Sequence, residues 1–436
     1  MFDIVLLALS IPCFIRNKVA PIMLMILCLF YAGSIIGEGM GTFPFVHNYR
    51  DSGIFLYFLL LCNLSLRSKK GYEGRDIRLI KKGILVFFLF LFLSYIVDLC
   101  INHVALSSIF KSMRDWAVLL FIWIVPKLRN TEIYSFIRML FVFTFILTIL
   151  FIVESLFNIS ITGAVRVTEN VGSRATIPWP LSLFVWGIVL SGALKVPNSW
   201  KIIYIAVVVL HLIICGSRSH FIAFALVLLM FFFLKGTINI KKVMVSIFAL
   251  IAMVVIFSTD NMLSERFSES RQELSDMHSG SKEVEGNFSF RILLLEERMA
   301  YINQNIQYTI FGIGNVQERD LRRNLFSIGL INEDNEVAQL DTGDIAWPLL
   351  LLRLGYVGTM IYLCFIYFRG MAIGWNNRKN PLALTLFVYL FIHLFFTSFT
   401  DYVISNSLFW FVPFVSIILV EREKIERRNY CLVGSD

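Results

Sequence analysis

The residues with the means to do chemistry are arginines and carboxylates at the edges of long apolar stretches. Arg218 follows Gly216 and Ser217 in a tight interruption between two apolar windows, where a guanidinium is costly unless it is paired. Arg291 opens the segment Phe290–Arg298, which leads on to Gly312 and Gly314, and Arg298 closes it. Asp341 and Asp344 stand before an apolar stretch that contains Arg353. A guanidinium presents a planar fork of donors that matches phosphate or pyrophosphate oxygens. A carboxylate at a helix mouth can take the proton of a sugar hydroxyl as general base.

Each of these residues also has a plainer reading. Arg218 can be a turn arginine that snorkels to the interface, and Asp341 and Asp344 can simply favour the positive end of a helix dipole. A solvated Arg291 wants an acid three or four positions away on its helix, but those positions are Asn287, Phe288, Leu294 and Leu295. Arg298 has Glu296 and Glu297 beside it, neither at facing spacing. Arg353, if it faces a helix bundle, is an intramembrane charge and so a site candidate by default. Asp98, Glu154 and Asp401, near the ends of other apolar windows, have weaker claims.

Other chemistries lack their sequence signatures. The chain has no P-loop, no dinucleotide-binding glycine pattern, no His-Glu-x-x-His and no Gly-x-Ser-x-Gly, which removes the usual support for ATP-driven, NAD-linked and zinc-protease readings. The six histidines are dispersed with no two stacked on one helix face, and the seven cysteines form no zinc pair or disulfide framework. No cofactor or metal site is expected. The net charge of +8 is spread between apolar windows, with no basic arm to follow a nucleic-acid backbone.

Helices in a membrane must position these residues. Of the 436 residues 57% are hydrophobic and 16% charged, too few charges to cover a soluble surface. Apolar windows fall at about 2–15, 20–36, 53–66, 83–101, 108–126, 135–157, 178–194, 202–215, 219–234, 243–257, 346–368, 381–399 and 406–420. Lipid offers backbone groups no partner, so each is a helix candidate. The fold expected is an all-α polytopic membrane protein of 12–13 transmembrane helices.

Orientation follows from lysine and arginine. Loops holding Arg16, Lys18, the run Arg67–Lys82, Lys127, Arg129, Lys241, Lys242, Arg378, Lys379 and the tail from Arg422 are far more basic than the alternate loops. They are therefore cytoplasmic, as is the C-terminus. The expected organisation is transmembrane helices 1–10 over 1–257, one large outer loop over 258–345, and helices 11–13 with a cytoplasmic tail over 346–436. The outer loop holds eight bases against sixteen acids. Apolar residues recur at helical spacing from Phe290 to Ile306, predicting an amphipathic helix on the membrane surface or over the bundle mouth. No 20–50 residue repeat and no pair of broken helices in corresponding halves is evident.

Much of the C-terminal half resembles the O-antigen ligase and polymerase superfamily of bacterial envelope polysaccharide enzymes. Four features carry the resemblance in order: Gly216-Ser217-Arg218 opening a span; Glu265-Arg266-Phe267 early in the outer loop; Arg291, an amphipathic run and Gly312-Ile313-Gly314; and a polar helix mouth leading into Leu354-Gly355-Tyr356-Val357-Gly358. The loop Arg166–Pro180 is similar to the family's other arginine-bearing loop, with Arg166 and Arg174 as its two candidates. Eleven residues before Gly355, where ligases carry a histidine followed by asparagine, this chain has Asp344. That departure points to a polymerase of the Wzy type.

The resemblance implies a metal-independent glycosyltransferase in a bacterial inner membrane, acting on its outer side. Its substrates would be oligosaccharide repeat units on undecaprenyl pyrophosphate, and a chain-length regulator is a possible partner. Arg218 and Arg291 would meet the pyrophosphate, Asp344 would position or deprotonate the acceptor, and Arg166, Arg174, Arg298, Asp341 and Arg353 would bind substrate. The alternatives are a ligase that transfers finished polymer, a flippase or other transporter of lipid-linked oligosaccharide, and a structural partner in an envelope complex.

Overall fold

A computed structural model describes residues 2–35, 49–66, 73–101, 103–106, 108–109, 113, 116–157, 159, 166–168, 172–174, 179–215, 217–235, 287–314, 325–329, 337, 339–340, 345–401 and 403–433. Fourteen helices are labelled in chain order. They are α1 (Phe2–Ile15), α2 (Val19–Phe30), α3 (Tyr49–Ser65), α4 (Arg75–Cys100), α5 (Asn130–Phe157), α6 (Ser182–Ser191) and α7 (Asn198–Cys215). There follow α8 (Arg218–Leu234), α9 (Asn287–Ile302), α10 (Ile306–Phe311), α11 (Ala346–Tyr362), α12 (Phe368–Asn376), α13 (Pro381–Phe395) and α14 (Phe411–Val433). The described strands form one short ribbon, β1 (Arg166–Thr168) antiparallel to β2 (Gly172–Arg174).

Every apolar window carries helix except 243–257, which lies outside the described residues. The window at 108–126 forms only short helical pieces, Ala117–Leu120, Phe121–Ile124 and Val125–Lys127. Among the described residues five helices are long and apolar enough to cross a membrane: Arg75–Cys100, Asn130–Phe157, Asn198–Cys215, Ala346–Asn376 and Pro381–Phe399. At about 1.5 Å per residue each of them approaches or exceeds the roughly 30 Å of a hydrocarbon core. The protein is thus helical and of membrane type, as its composition predicts.

Local chemistry sets several helix ends. Asn380 accepts from the amides of Leu382 (2.8 Å) and Ala383 (3.3 Å) ahead of Pro381 at the first turn of α13, the arrangement that suits a helix start. Gly74 leaves the start of α4 without a capping side chain, and Glu421 of α14 supplies it. Its carboxylate accepts from the amides of Asp76 (3.0 Å) and Ile77 (3.3 Å).

Contacts gather the chain into two units. The first comprises Met1–Tyr72, Ile124–Ser268 and Lys379–Tyr389; the second comprises Glu73–Trp123, Glu269–Arg378 and Leu390–Asp436. In the first, α2 packs on α3 and α5, and α5 on α7. Thr385 donates to the Gly187 carbonyl (3.2 Å), which fastens α13 to α6. In the second, α4, α9 and α10 pack on α11. Its core holds an aromatic cluster: Trp410 donates to the Tyr362 hydroxyl (2.8 Å), which donates to the Ile404 carbonyl (2.9 Å). Buried indole and phenol groups are satisfied in this way without water.

Candidate functional site

The second unit brings together two of the glycine motifs visible in the sequence. α10 ends in a turn where Gly312 and Gly314 take left-handed φ values of 72° and 87°, conformations that glycine adopts without strain. The turn seats on α11, which breaks at Gly355 (φ 62°, ψ −174°). A break frees a carbonyl of the preceding turn, and the Ile313 amide donates to that of Leu352 at 2.8 Å. Beyond the break, Thr359 donates back to the Leu350 carbonyl at 3.2 Å. Non-helical backbone survives at membrane depth only where protein satisfies it in this way. Phe311 at the end of α10 stacks on Phe90 of α4 with centroids 5.6 Å apart.

A carboxylate borders the turn. Asp98, in the last turn of α4, is 2% exposed, and its Oδ1 would stand 1.9 Å from a β-carbon at Gly314. Glycine at 314 thus lets a buried carboxyl lie directly against the backbone. Arg353 lies two residues before the break, half-buried among fully buried leucines. On α9, Leu294 and Arg298 are fully buried. Arg291, three and seven residues before them, shares their packed face at helical spacing and is half-buried there.

Arg298 has a different surrounding from the one its sequence neighbours suggest. Its guanidinium bonds the adjacent Glu297 carboxylate, donates to the Gln339 carbonyl at 3.4 Å and lies 4.2 Å over the Phe326 ring. Glu297 therefore pairs with it despite unfavourable spacing, because Arg298 is drawn inward and Glu297 bends toward the same segment. Glu297 also accepts from the Ser327 amide (2.8 Å), the Ser327 hydroxyl (2.7 Å) and the Ile328 amide (3.1 Å). Burial pushes this carboxyl up, but those hydrogen bonds and Arg298 outweigh it and hold it below its ordinary value. Gln339 accepts from the amides of Leu325 (2.7 Å) and Phe326 (2.8 Å) and donates to the Val337 carbonyl (2.8 Å). Arg298 thus organises the segment 325–329 and the residues Gln339 and Leu340 against α9, packed on Ile302, Ile313, Leu351 and Leu352.

The helix bearing Arg291 covers Asn287–Ile302, and α10 follows after a turn. The periodicity predicts one run from Phe290 to Ile306, but Asn305 accepts from the Gln307 amide (3.0 Å) and starts a second helix instead. Burial and its Tyr308 neighbour push the Tyr301 phenol up to about 12, and the two rings stack 5.5 Å apart between the helices.

The other sequence candidates are placed less fully. Register sets Arg166 opposite Arg174 across the ribbon, so the two are neighbours and not alternatives in separate places. Arg218 is the first residue of α8, after Ser217. The side chains of Arg166, Arg174 and Arg218 lie outside the described residues, as do Asp341 and Asp344 entirely. Asp98 outranks its sequence claim; its signal was a charge four residues after Ser94 in the otherwise apolar window 83–101. Gln339 carried no signal. No known protein-family model matches the chain, and no curated protein matches its sequence.

Proposed function

We propose that the chain is a polysaccharide polymerase of the O-antigen ligase and polymerase superfamily, with 12–13 spans, an outer loop over 258–345 and a cytoplasmic C-terminus. It joins oligosaccharide repeat units carried on undecaprenyl pyrophosphate, as in O-antigen, capsule or exopolysaccharide synthesis. The observation that carries this reading is the seat of the Gly312–Gly314 turn on the Gly355 break. Two motifs on which the resemblance rests, separated by some forty residues of sequence, form one junction bordered by Asp98, with Arg353 two residues away.

In this reading the nonreducing-end hydroxyl of a new unit attacks the anomeric carbon of the growing chain. The new glycosidic C–O bond forms as the bond to pyrophosphate breaks, and undecaprenyl pyrophosphate leaves. Arg291 meets the charge that develops on the departing pyrophosphate, and Asp344 receives the hydroxyl proton. Such preorganised charges act only where charge appears in the transition state, and removing one costs roughly 3–4 kcal/mol. Arg218 keeps the support of the resemblance alone. The donor is already activated, so the reaction needs no nucleotide.

Arg291→Ala in stably inserted protein tests the reading. Loss of long glycan chains at normal protein level is expected, and normal chain length would refute the assignment. Bare acceptors with long glycan still on the lipid carrier would instead mark a ligase. Repeat units held on the cytoplasmic leaflet would mark a flippase.

A further inference from the structure

The first unit contains a small cavity between α5, the approach to α6, α7 and α8. His211 of α7, 3% exposed, and Trp179, 2% exposed, both line it. Neither ring nitrogen of His211 and not the indole N–H of Trp179 has a hydrogen-bond partner among the described residues. Thr148 and Ser182 line the same space. Each has already given its hydroxyl proton, Thr148 to the Thr144 carbonyl and Ser182 to the Trp179 carbonyl, both at 2.7 Å. Their oxygens are therefore left as acceptors only.

This donor and acceptor set is complementary to one small neutral molecule. Trp179 can only donate, the two hydroxyl oxygens can only accept, and a neutral imidazole offers one of each. Water has two donors and two acceptors and matches all four. The cavity, about 10 Å³, is of the size that holds a single water and no organic ligand. Apolar walls from Phe151 and Phe224 remove competing partners, so the polar atoms must be satisfied within it or not at all.

We infer that this cavity is a built hydration site in which one water bridges Trp179 and His211 to the hydroxyls of Thr148 and Ser182. The water ties α5, α7 and the start of α6 together through groups that would otherwise oppose their burial. The site stands independently of the proposed reaction. A density map of the full chain in a lipid nanodisc, at a resolution where buried waters are seen, tests it. A peak within about 3.2 Å of both the Trp179 indole nitrogen and one His211 ring nitrogen is expected. No peak there, while other buried waters are visible, would overturn it, as would a direct Trp179–His211 bond that closes the cavity. In His211→Phe, which keeps a ring of similar shape, the peak should vanish; a peak that stays would overturn the role of His211.

Discussion

Gly312 and Gly355 approach each other so closely that neither position has room for a β-carbon. One added at Gly312 would stand 2.1 Å from the Leu352 carbonyl oxygen and 2.8 Å from the Gly355 nitrogen. One added at Gly355 would stand 2.4 Å from the Ile310 carbonyl oxygen and 2.6 Å from the Gly312 nitrogen. The obstacles are backbone on both sides, so no rotamer change relieves them. Both residues also hold positive φ, and the constraint is therefore doubled.

Gly312→Ala and Gly355→Ala should each separate the turn from α11. The expected cost is about 1–3 kcal/mol of backbone strain, with roughly 1 kcal/mol more if the Ile313–Leu352 hydrogen bond is lost. Thermal unfolding in detergent measures it. The double variant should cost less than the sum of the singles, because both destroy one interface; full additivity would contradict the shared seat.

Asp98→Asn keeps the volume beside Gly314 and removes the acid group. If the carboxylate belongs to the reacting junction, glycan polymerisation should fall about tenfold or more, equivalent to some 1.4 kcal/mol in the barrier. Unfolding should shift little. Equal activity with reduced stability would make Asp98 a packing residue only.

Asp344→Asn should abolish polymerisation if this carboxylate takes the acceptor proton, whereas Asp344→Glu should retain part of it. Chain-length ladders from cells with matched protein levels report both. Full activity of the asparagine variant would remove the proton-transfer role.

Glu297 links pH to the order of the segment that carries Ser327 and Ile328. Its carboxyl is held below its ordinary value in the folded protein, so the stability it contributes is fully present above the ordinary carboxyl range, near pH 4. That contribution is lost as pH falls through the lowered folded value. Protection factors of the Ser327 and Ile328 amides should therefore hold from neutral pH to about 5 and drop in stronger acid. Glu297→Gln should already show the lowered protection at neutral pH. An unchanged factor in that variant would contradict the anchoring role.

The helical class and the positions of most helices were legible because lipid forces apolar stretches into helices. The packed faces were not. On α4 the buried stripe Ile80, Ile84, Phe87, Leu91, Ser94 and Asp98 differs from the exposed stripe Leu85, Leu89, Phe92, Ile96 and Leu99 mainly in its two polar members. A membrane helix is apolar all round, so hydrophobic periodicity marks no inner face. Gly83 does mark it, since a β-carbon there would meet the Phe365 carbonyl oxygen at 2.5 Å. The glycines at 312, 314 and 355 were visible as a pattern, but their contact joins segments far apart in sequence and no local rule reports it. The surroundings of Arg298 were not legible for a similar reason: Gln339, which it meets, and Ser327, which meets its partner Glu297, lie about forty and thirty residues away.

The proposed activity is polymerisation of lipid-linked repeat units. It is tested most directly by a gel of surface polysaccharide and lipid-linked intermediates from cells lacking this gene, complemented with the wild-type chain or with Arg291→Ala. Acceptors capped with a single repeat unit are expected in the deletion strain and with Arg291→Ala, and a restored ladder with wild type. An unchanged ladder in the deletion strain would contradict it.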